Sequence, residues 1–555
     1  MKDNVKPCQH SLSDDVIYKE VVIIGNGPSG MVTSFMLAGN VPYLKHIPQD
    51  LPIDEMLRAR LSNVPSGQSL YEADLMELAE GLEGRCQNPI PLLMDNLLRP
   101  CADLGIQADA LIEWRFEEAK QVDHIVLGRG PPGGAWHTFP PGVKTLSPGA
   151  WLTLPPHADA GAGRLTARAV ANYCRRYVHA CKLQRYFRNG VVVTNVCRAP
   201  LSPGTPCPHP NCPLGAKFYV TAREINGGRP LVVGCRRVVV ACGGGDRPNV
   251  LRNVPRAIYD LASFERALHS LDAQPSVLVV GSGVSAADGV VLARAAGTRA
   301  HHLHRAPAHA LAALAPRAYP HYCQVYKMMC DGPAGQYPNY TSHPDHVIVE
   351  VTPLDSSHGQ EPSLQPNRVK LLDLKTNLTT EITVSLIGVF IGSKPDLFFL
   401  QNSNSECTCD KMNKRKMEEK QCFLKNHWLY IKSMLGQSIQ SCKSRYLNYT
   451  EINGNDGKCM VEDCNKRAEC QCKLIPYFDK CQCEVDPSDG VGLGVDELKP
   501  VESRSNPVAV DKGSHEVRRM RGVYALGPLT GDNFVRFIPG GALALVSHIH
   551  KQRSH

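Results

Sequence analysis

Two glycine patterns in this sequence have the residue types and spacing to hold a dinucleotide. The first is Val21-Val22-Ile23-Ile24-Gly25-Asn26-Gly27-Pro28-Ser29-Gly30, a G-x-G-x-x-G run entered from an apolar, β-branched segment. In this pattern Gly25 makes a tight turn, Gly27 lets a pyrophosphate approach the backbone, and Gly30 permits close helix–sheet packing. The helix N-terminus behind them offers a positive dipole end to the phosphates. The second is Val277-Leu278-Val279-Val280-Gly281-Ser282-Gly283-Val284-Ser285-Ala286-Ala287-Asp288, the G-x-G-x-x-A variant. It is followed by His301-His302-Leu303-His304-Arg305, which places Arg305 near the end of the next strand. An acid there selects NAD, whereas an arginine pairs with the 2′-phosphate of NADP. The plain alternative is a solvated basic strand end. Adjacent His301 and His302 point to opposite faces of a strand, which argues against a metal site, and none is expected.

The two patterns lie too far apart to belong to one unit of about 30 residues. One site for a flavin and one for a nicotinamide is the simplest explanation, with redox chemistry supplied by the flavin. Three further segments fit this scheme: Val238 to Pro248, Val389 to Asp396, and the tail Gly522 to Asn533, in which Gly527 and Asp532 follow a short strand. No Ser-His-Asp or H-E-x-x-H arrangement supports a hydrolase. A flavin disulfide reductase would need a C-x-x-C or C-x4-C near the flavin, and the first 150 residues hold only Cys8, Cys86 and Cys101.

The elements that must position these residues follow from periodicity. Residues 16–24 read as a strand, and Met31 to Ala38 as a helix. Tyr71 to Leu82 also reads as helical. Residues 165–183 predict a helix with Val170, Tyr173, Cys174, Tyr177 and Val178 on one face. Strands are expected at 125–127, 231–233, 238–240 and from Val384 to Ile391, and an apolar helix after Gly540-Gly541. Residues 401–485 carry 10 of the 22 cysteines among runs of Lys, Asn and Glu, and read as an insertion. Its Trp428, Ile431 and Leu435 have the spacing of a helical docking face, which makes the insertion the expected route to protein partners. Its six clustered cysteines from Cys459 to Cys483 lack paired C-x-x-C units, and Cys207, His209 and Cys212 supply three local ligands only. The predicted fold class is α/β: a two-dinucleotide-binding-domain flavoprotein with Rossmann-like domains and a Cys-rich insertion. The FAD domain is expected over 15–272 and 507–549, the NADPH domain over 273–400, and a mobile insertion over 401–506. Flexible termini are expected at 1–14 and 550–555.

Composition bounds the rest. A chain of 555 residues suits two to four domains of about 150 residues. With 43% hydrophobic and 21% charged residues it is an ordinary globular composition, which excludes a largely disordered chain. A net charge of +8 over this length is too small an excess for a nucleic-acid footprint. No leader pattern is visible at the N-terminus, and no run reaches the ~18 apolar residues that cross a bilayer. A cytoplasmic protein with reduced thiols is therefore the expectation.

Gly133-Gly134-Ala135-Trp136 resembles the G-G-x-W element of flavin-containing monooxygenases. More closely, GNGPSG, VLGRGPPGGAWH, GSGVSAAD, VFIGSKPDLFFL and LGPLTGDNFVRFIPGGALA resemble the oxidative stress-induced growth inhibitor family, over most of residues 15–400 and 507–549. The resemblance implies an NADPH-dependent flavoprotein monooxygenase-like enzyme. It also implies roles in growth regulation under oxidative stress, cell differentiation, cell death and cell division at the midbody. It assigns Gly25, Gly27, Gly30, Gly133, Gly134, Trp136, Gly527 and Asp532 to FAD, and Gly281, Gly283, Ala286 and Arg305 to NADPH. The catalytic residues and the small-molecule or protein substrate stay unassigned. The sequence departs from the pattern in three places. The strand ending at Leu127 is followed by Gly128 and Arg129 rather than a ribose-binding acid, Phe264 to His269 lacks the monooxygenase glycine, and Lys144 to Ser147 after the G-G-x-W element holds no Asn to help hold an oxygenated flavin. These departures keep open a catalytically weak nucleotide-binding regulatory protein that acts through partners.

Overall fold

A computed structural model describes residues 16–156, 161, 163–199, 215–251, 253–271, 276–305, 309–354, 366–400 and 489–554. The Cys207–Cys212 loop and the cysteines and docking face of the insertion lie outside these residues.

The strand Val16–Ile24 is the axis of the first unit. Its last five residues are buried because parallel strands flank it, Pro230–Val240 on one side and His124–Gly128 on the other. A strand covered on both faces reads as a continuous apolar run rather than an alternating one. Its side chains divide between two cores: Val21 and Ile23 enter one, Val22 and Ile24 the other. The sheet order is Phe187–Asn189, His124–Gly128, Val16–Ile24, Pro230–Val240, Phe218–Glu224 and Val191–Arg198. The strands expected at 231–233 and 238–240 are one strand. Its first half pairs antiparallel with Phe218–Glu224, and its last three residues pair parallel with Val523–Ala525.

The helix Pro28–Leu37 packs on the first core, as does the closing helix Ile538–Ser554. Ala167–Ala180 is a helix whose expected face is buried. The helix expected over Tyr71 to Leu82 shrinks to Leu75–Leu78. Asp74 caps it by accepting from the amides of Met76 and Glu77, and Gly81 at φ +71° leaves helical geometry soon after. Residues 550–554, expected as a flexible end, continue the closing helix. His550 is buried, Lys551 Nζ donates to the Ala73 carbonyl at 2.7 Å, and Arg553 pairs at 2.8 Å with the buried carboxylate of Glu20.

The second unit is a four-stranded parallel sheet in the order Tyr340–Pro344, Arg299–His304, Ser276–Val280, Leu386–Val389. The helices Val284–Ala295 and Pro320–Asp331 cover one face. An antiparallel sheet of His346–Pro353, Asn367–Asp373 and Thr379–Val384 covers the other. Val384 therefore closes an antiparallel strand, and the expected run to Ile391 begins afresh at Leu386. The chain crosses between units at Arg247–Pro248 and Ser393–Lys394, which pair antiparallel. Asp489 accepts from Lys394 Nζ at 2.6 Å and from Arg247 at 3.5 Å, so it ties both crossings together. Residues 489–506, read from the sequence as part of the insertion, are packed here, with Val501 fully buried. No helix among the described residues is long and apolar enough to cross a membrane.

Candidate functional site: two glycine turns facing two helix N-termini

The first turn joins Val16–Ile24 to the helix Pro28–Leu37. Gly25 has φ +112°, which L side chains rarely adopt, and a Cβ there would lie 2.3 Å from the Ala241 carbonyl oxygen. Its amide donates to Leu127 O at 2.8 Å, while Ala241 N donates to Ile24 O at 2.8 Å. The turn is thus fixed to both neighbouring strands. A Cβ on Gly30 would sit 2.0 Å from Gly25 O, the close helix–strand approach the spacing predicts. At Gly27 the geometry is different: a Cβ would meet nothing within 4 Å. Gly27 is the N-cap, Pro28 opens the helix without an N–H, and the first turn carries no acid. Open space over a helix N-terminus with no competing carboxylate suits an anion.

Two other expected elements converge here. Gly133 N donates to Asn26 O at 2.9 Å, and a Cβ on Gly134 would come 3.2 Å from the Cα of Gly27. Trp136 is half-buried beside them and packs edge-on to Phe139 at 5.6 Å. From the tail, a Cβ on Gly527 would lie 2.4 Å from Ser29 Oγ. Asp532 lies buried beside the segment of Cys86 and Asn88. It is 1% exposed and its carboxylate accepts from Cys86 Sγ at 2.8 Å, Asn88 Nδ2 at 3.0 Å and Thr530 Oγ1 at 3.2 Å. Burial raises its pKa, and in this position it shapes the tail turn.

The second turn repeats the first. Gly281 has φ +135°, with a would-be Cβ 2.3 Å from Phe390 O. Gly281 N donates to Leu303 O at 2.9 Å and Phe390 N to Val280 O at 2.7 Å. Gly283 is the N-cap of Val284–Ala295, again with no acid in the first turn and nothing within 4 Å of a Cβ. Ala286 is fully buried against the turn. Leu127 and Leu303 hold equivalent places, so Arg129 and Arg305 are equivalent too. Both are exposed, and Arg129 lies 4.0 Å from Asp246.

The segment after G-G-x-W reaches the second unit. Arg164 Nε donates to Thr145 O at 2.6 Å, and its guanidinium lies 4.6 Å from the Tyr319 ring centre. Tyr319 Oη donates to Leu146 O. Tyr322 Oη donates to Asp288 at 2.7 Å, and burial pushes that carboxyl up to about 6. Residues 144–147 are therefore linked through Tyr319 and Tyr322 to the helix of the second glycine turn.

Two residues escaped the sequence reading. Asn26 Nδ2 donates to Gly130 O at 2.6 Å and to Asn189 Oδ1 at 2.8 Å, which bridges three segments. A Cβ at Gly128 would lie 2.1 Å from that amide nitrogen, so the glycine at the strand end exists to let Asn26 pass. The signal was present: an amide inside the G-x-G, and a glycine where an acid belongs. The second is His302, which donates to the Gly281 carbonyl at 2.8 Å.

The fold is that of two-dinucleotide-binding-domain flavoproteins. A bacillithiol disulfide reductase from Bacillus cereus superposes with a TM-score of 0.50 over 96% of this chain and 99% of that one, at 11% identity. No family model matches the chain. Oxidative stress-induced growth inhibitor 1 of Mus musculus is 32% identical over 559 residues, 96% of this chain and 95% of that protein. The Homo sapiens protein of the same name is 29% identical over the same shares. The chain belongs to the oxidative stress-induced growth inhibitor family.

Proposed function

We propose that the protein is an NADPH-dependent FAD enzyme of the monooxygenase type. The observation that carries the reading is the repeated turn: at Gly27 and at Gly283 a helix N-terminus faces open space that a single Cβ would enter. In this reading Gly27, Ser29 and Gly30 hold the FAD pyrophosphate, with Gly25, Gly133, Gly134, Trp136 and Gly527 around it. Asp532 supports them from behind. Gly281, Gly283 and Ala286 take the NADPH pyrophosphate, and Arg305 its 2′-phosphate. FAD bound there would accept hydride from NADPH and pass the electrons to oxygen. The chain's own task is to align two nucleotides and exclude water, which needs no protein nucleophile. The contact of residues 144–147 with Tyr319 supports a shared workspace between the units. The growth-restraining role carried in the relatives' names, a cytoplasmic and midbody location, and partner binding through residues 401–485 extend the same proposal.

The test is the visible spectrum of the purified protein before and after NADPH in air. Flavin absorbance that bleaches and then recovers supports the enzyme. A second reading, a regulatory nucleotide-binding protein without efficient turnover, is favoured by Asn26 and Gly128, which occupy the place of the ribose acid. It expects bound nucleotide with no bleaching.

A further inference from the structure

We propose that His302, its ring held between the Gly281 carbonyl and Tyr340, is the positioning residue of the second glycine turn and sets the peptide that faces the nucleotide. The inference rests on the NADPH reading of that turn. His302 is fully buried on the strand Arg299–His304. Its Nε2 lies 2.8 Å from the carbonyl oxygen of Gly281, and its Nδ1 lies 3.0 Å from Tyr340 Oη. A carbonyl only accepts, so Nε2 carries the proton. Nδ1 is then the acceptor for the Tyr340 hydroxyl. Burial, reinforced by His304, lowers the His302 pKa to about 3, which keeps the ring neutral and this arrangement intact at ordinary pH. Because the peptide is planar and trans, fixing the Gly281 oxygen on the buried ring aims the Ser282 N–H the opposite way.

At the first turn the corresponding oxygen has a different neighbour. There the carbonyl of Gly25 is crowded by Gly30, whose missing Cβ lets the helix come within contact. The second turn has Ala286 at that position, and its methyl forbids the same approach. The Gly281 oxygen would be a buried acceptor without a partner, a state that costs about 1–3 kcal/mol, and His302 supplies the donor. The histidine run next to the motif therefore serves the loop from behind, where no ligand touches it.

The experiment compares wild type, His302→Leu, His302→Gln and Tyr340→Phe by NADPH calorimetry. Thermal midpoint, bound flavin and the imidazole 15N shifts are recorded for each. His302→Leu is expected to weaken NADPH about tenfold or more with flavin content unchanged. His302→Gln, whose Nε2 can donate to the same oxygen, is expected to recover affinity to within about threefold of wild type. Tyr340→Phe is expected to weaken NADPH less than His302→Leu and to move the Nδ1 15N shift, because Nδ1 loses its donor while Nε2 stays protonated toward Gly281. A folded His302→Leu that binds NADPH as wild type does overturns the inference, as does a glutamine that fails to rescue. Should His302→Leu not fold, Tyr340→Phe decides: unchanged affinity with unchanged 15N shifts contradicts it. A wild type that binds no NADPH overturns the reading of the second turn, and this inference with it.

Discussion

The two glycine turns share a backbone and differ in what surrounds them. Each has a positive-φ glycine pinned between two strands, and each has a second glycine open at a helix N-terminus. Around the first turn other segments crowd in: Gly134 against Gly27, Gly527 against Ser29, and Asn26 across the end of the next strand. The second turn keeps Arg305 exposed beside it and has the buried His302 ring behind it. A site built from four chain segments suits a cofactor that stays. A site on one strand–turn–helix unit suits a nucleotide that exchanges.

Substitutions at the glycines should break this comparison most strongly. Gly25→Ala and Gly281→Ala each force a Cβ to 2.3 Å from a carbonyl oxygen at a positive φ. Each is expected to lose about 4 kcal/mol, by urea denaturation, because neither the turn nor the neighbouring strand can move aside. Gly27→Ala and Gly283→Ala meet open space and should change stability by less than about 1 kcal/mol. The pair Gly30→Ala and Ala286→Gly should be asymmetric. The first places a methyl 2.0 Å from Gly25 O and costs about 3 kcal/mol, whereas the second costs about 1.

The strand ends give the next effects. Asn26→Ala removes both of its hydrogen bonds and should cost about 2 kcal/mol in the same denaturation assay. It should also lower flavin retention on dialysis and leave NADPH affinity unchanged. Arg305→Ala should weaken NADPH about tenfold, with NADH affinity unchanged, when the two are compared by fluorescence titration. Arg129→Ala, at the equivalent place in the first unit, should leave both affinities alone.

Acid should separate the units more gently. In the second unit burial lowers the pKa of His302 to about 3 and of His304 and His343 to about 4, from an ordinary 6.5. A depressed histidine pKa means that the unfolded chain takes up protons first. Stability is therefore whole above about 6.5 and falls as pH drops toward 4, by at most about 1.4 kcal/mol per histidine for each pH unit. Asp288, pushed up to about 6, acts in the opposite sense between 3.8 and 6 and offsets one of the three. In the first unit His124 and His550 are lowered to about 4, and His515 and His548 are lowered as well, but burial raises Asp95, Asp246 and Asp532, which offset most of them. Hydrogen exchange at pH 5 against pH 7.5 should show protection lost first in 299–304 and 340–344. Equal loss in both units would remove the distinction.

The turns are legible in the sequence because their constraints are local. A buried strand, a glycine that must have positive φ and a helix N-terminus leave one pattern in consecutive residues. Pairing cannot be read in the same way. Leu231 to Val240 reads as two strands because Gly234 to Arg237 interrupt its apolar run, yet it is one strand whose halves pair with different neighbours. The resemblance places Asp532 at the flavin, but nothing in the tail shows that its partners Cys86 and Asn88 lie far back in the chain. His302 suggests a metal only because it sits in a run of histidines. Its acceptor is a backbone carbonyl, and a carbonyl leaves no mark in a sequence.

The most direct measurement follows flavin absorbance during NADPH addition to wild type, Gly27→Ala and Gly283→Ala. Wild type should arrive yellow and bleach. Gly283→Ala should stay yellow and resist bleaching, while Gly27→Ala should lose its flavin yet still bind NADPH. A colourless wild type, or two variants that both bleach as wild type does, would contradict the assignment of one nucleotide to each turn.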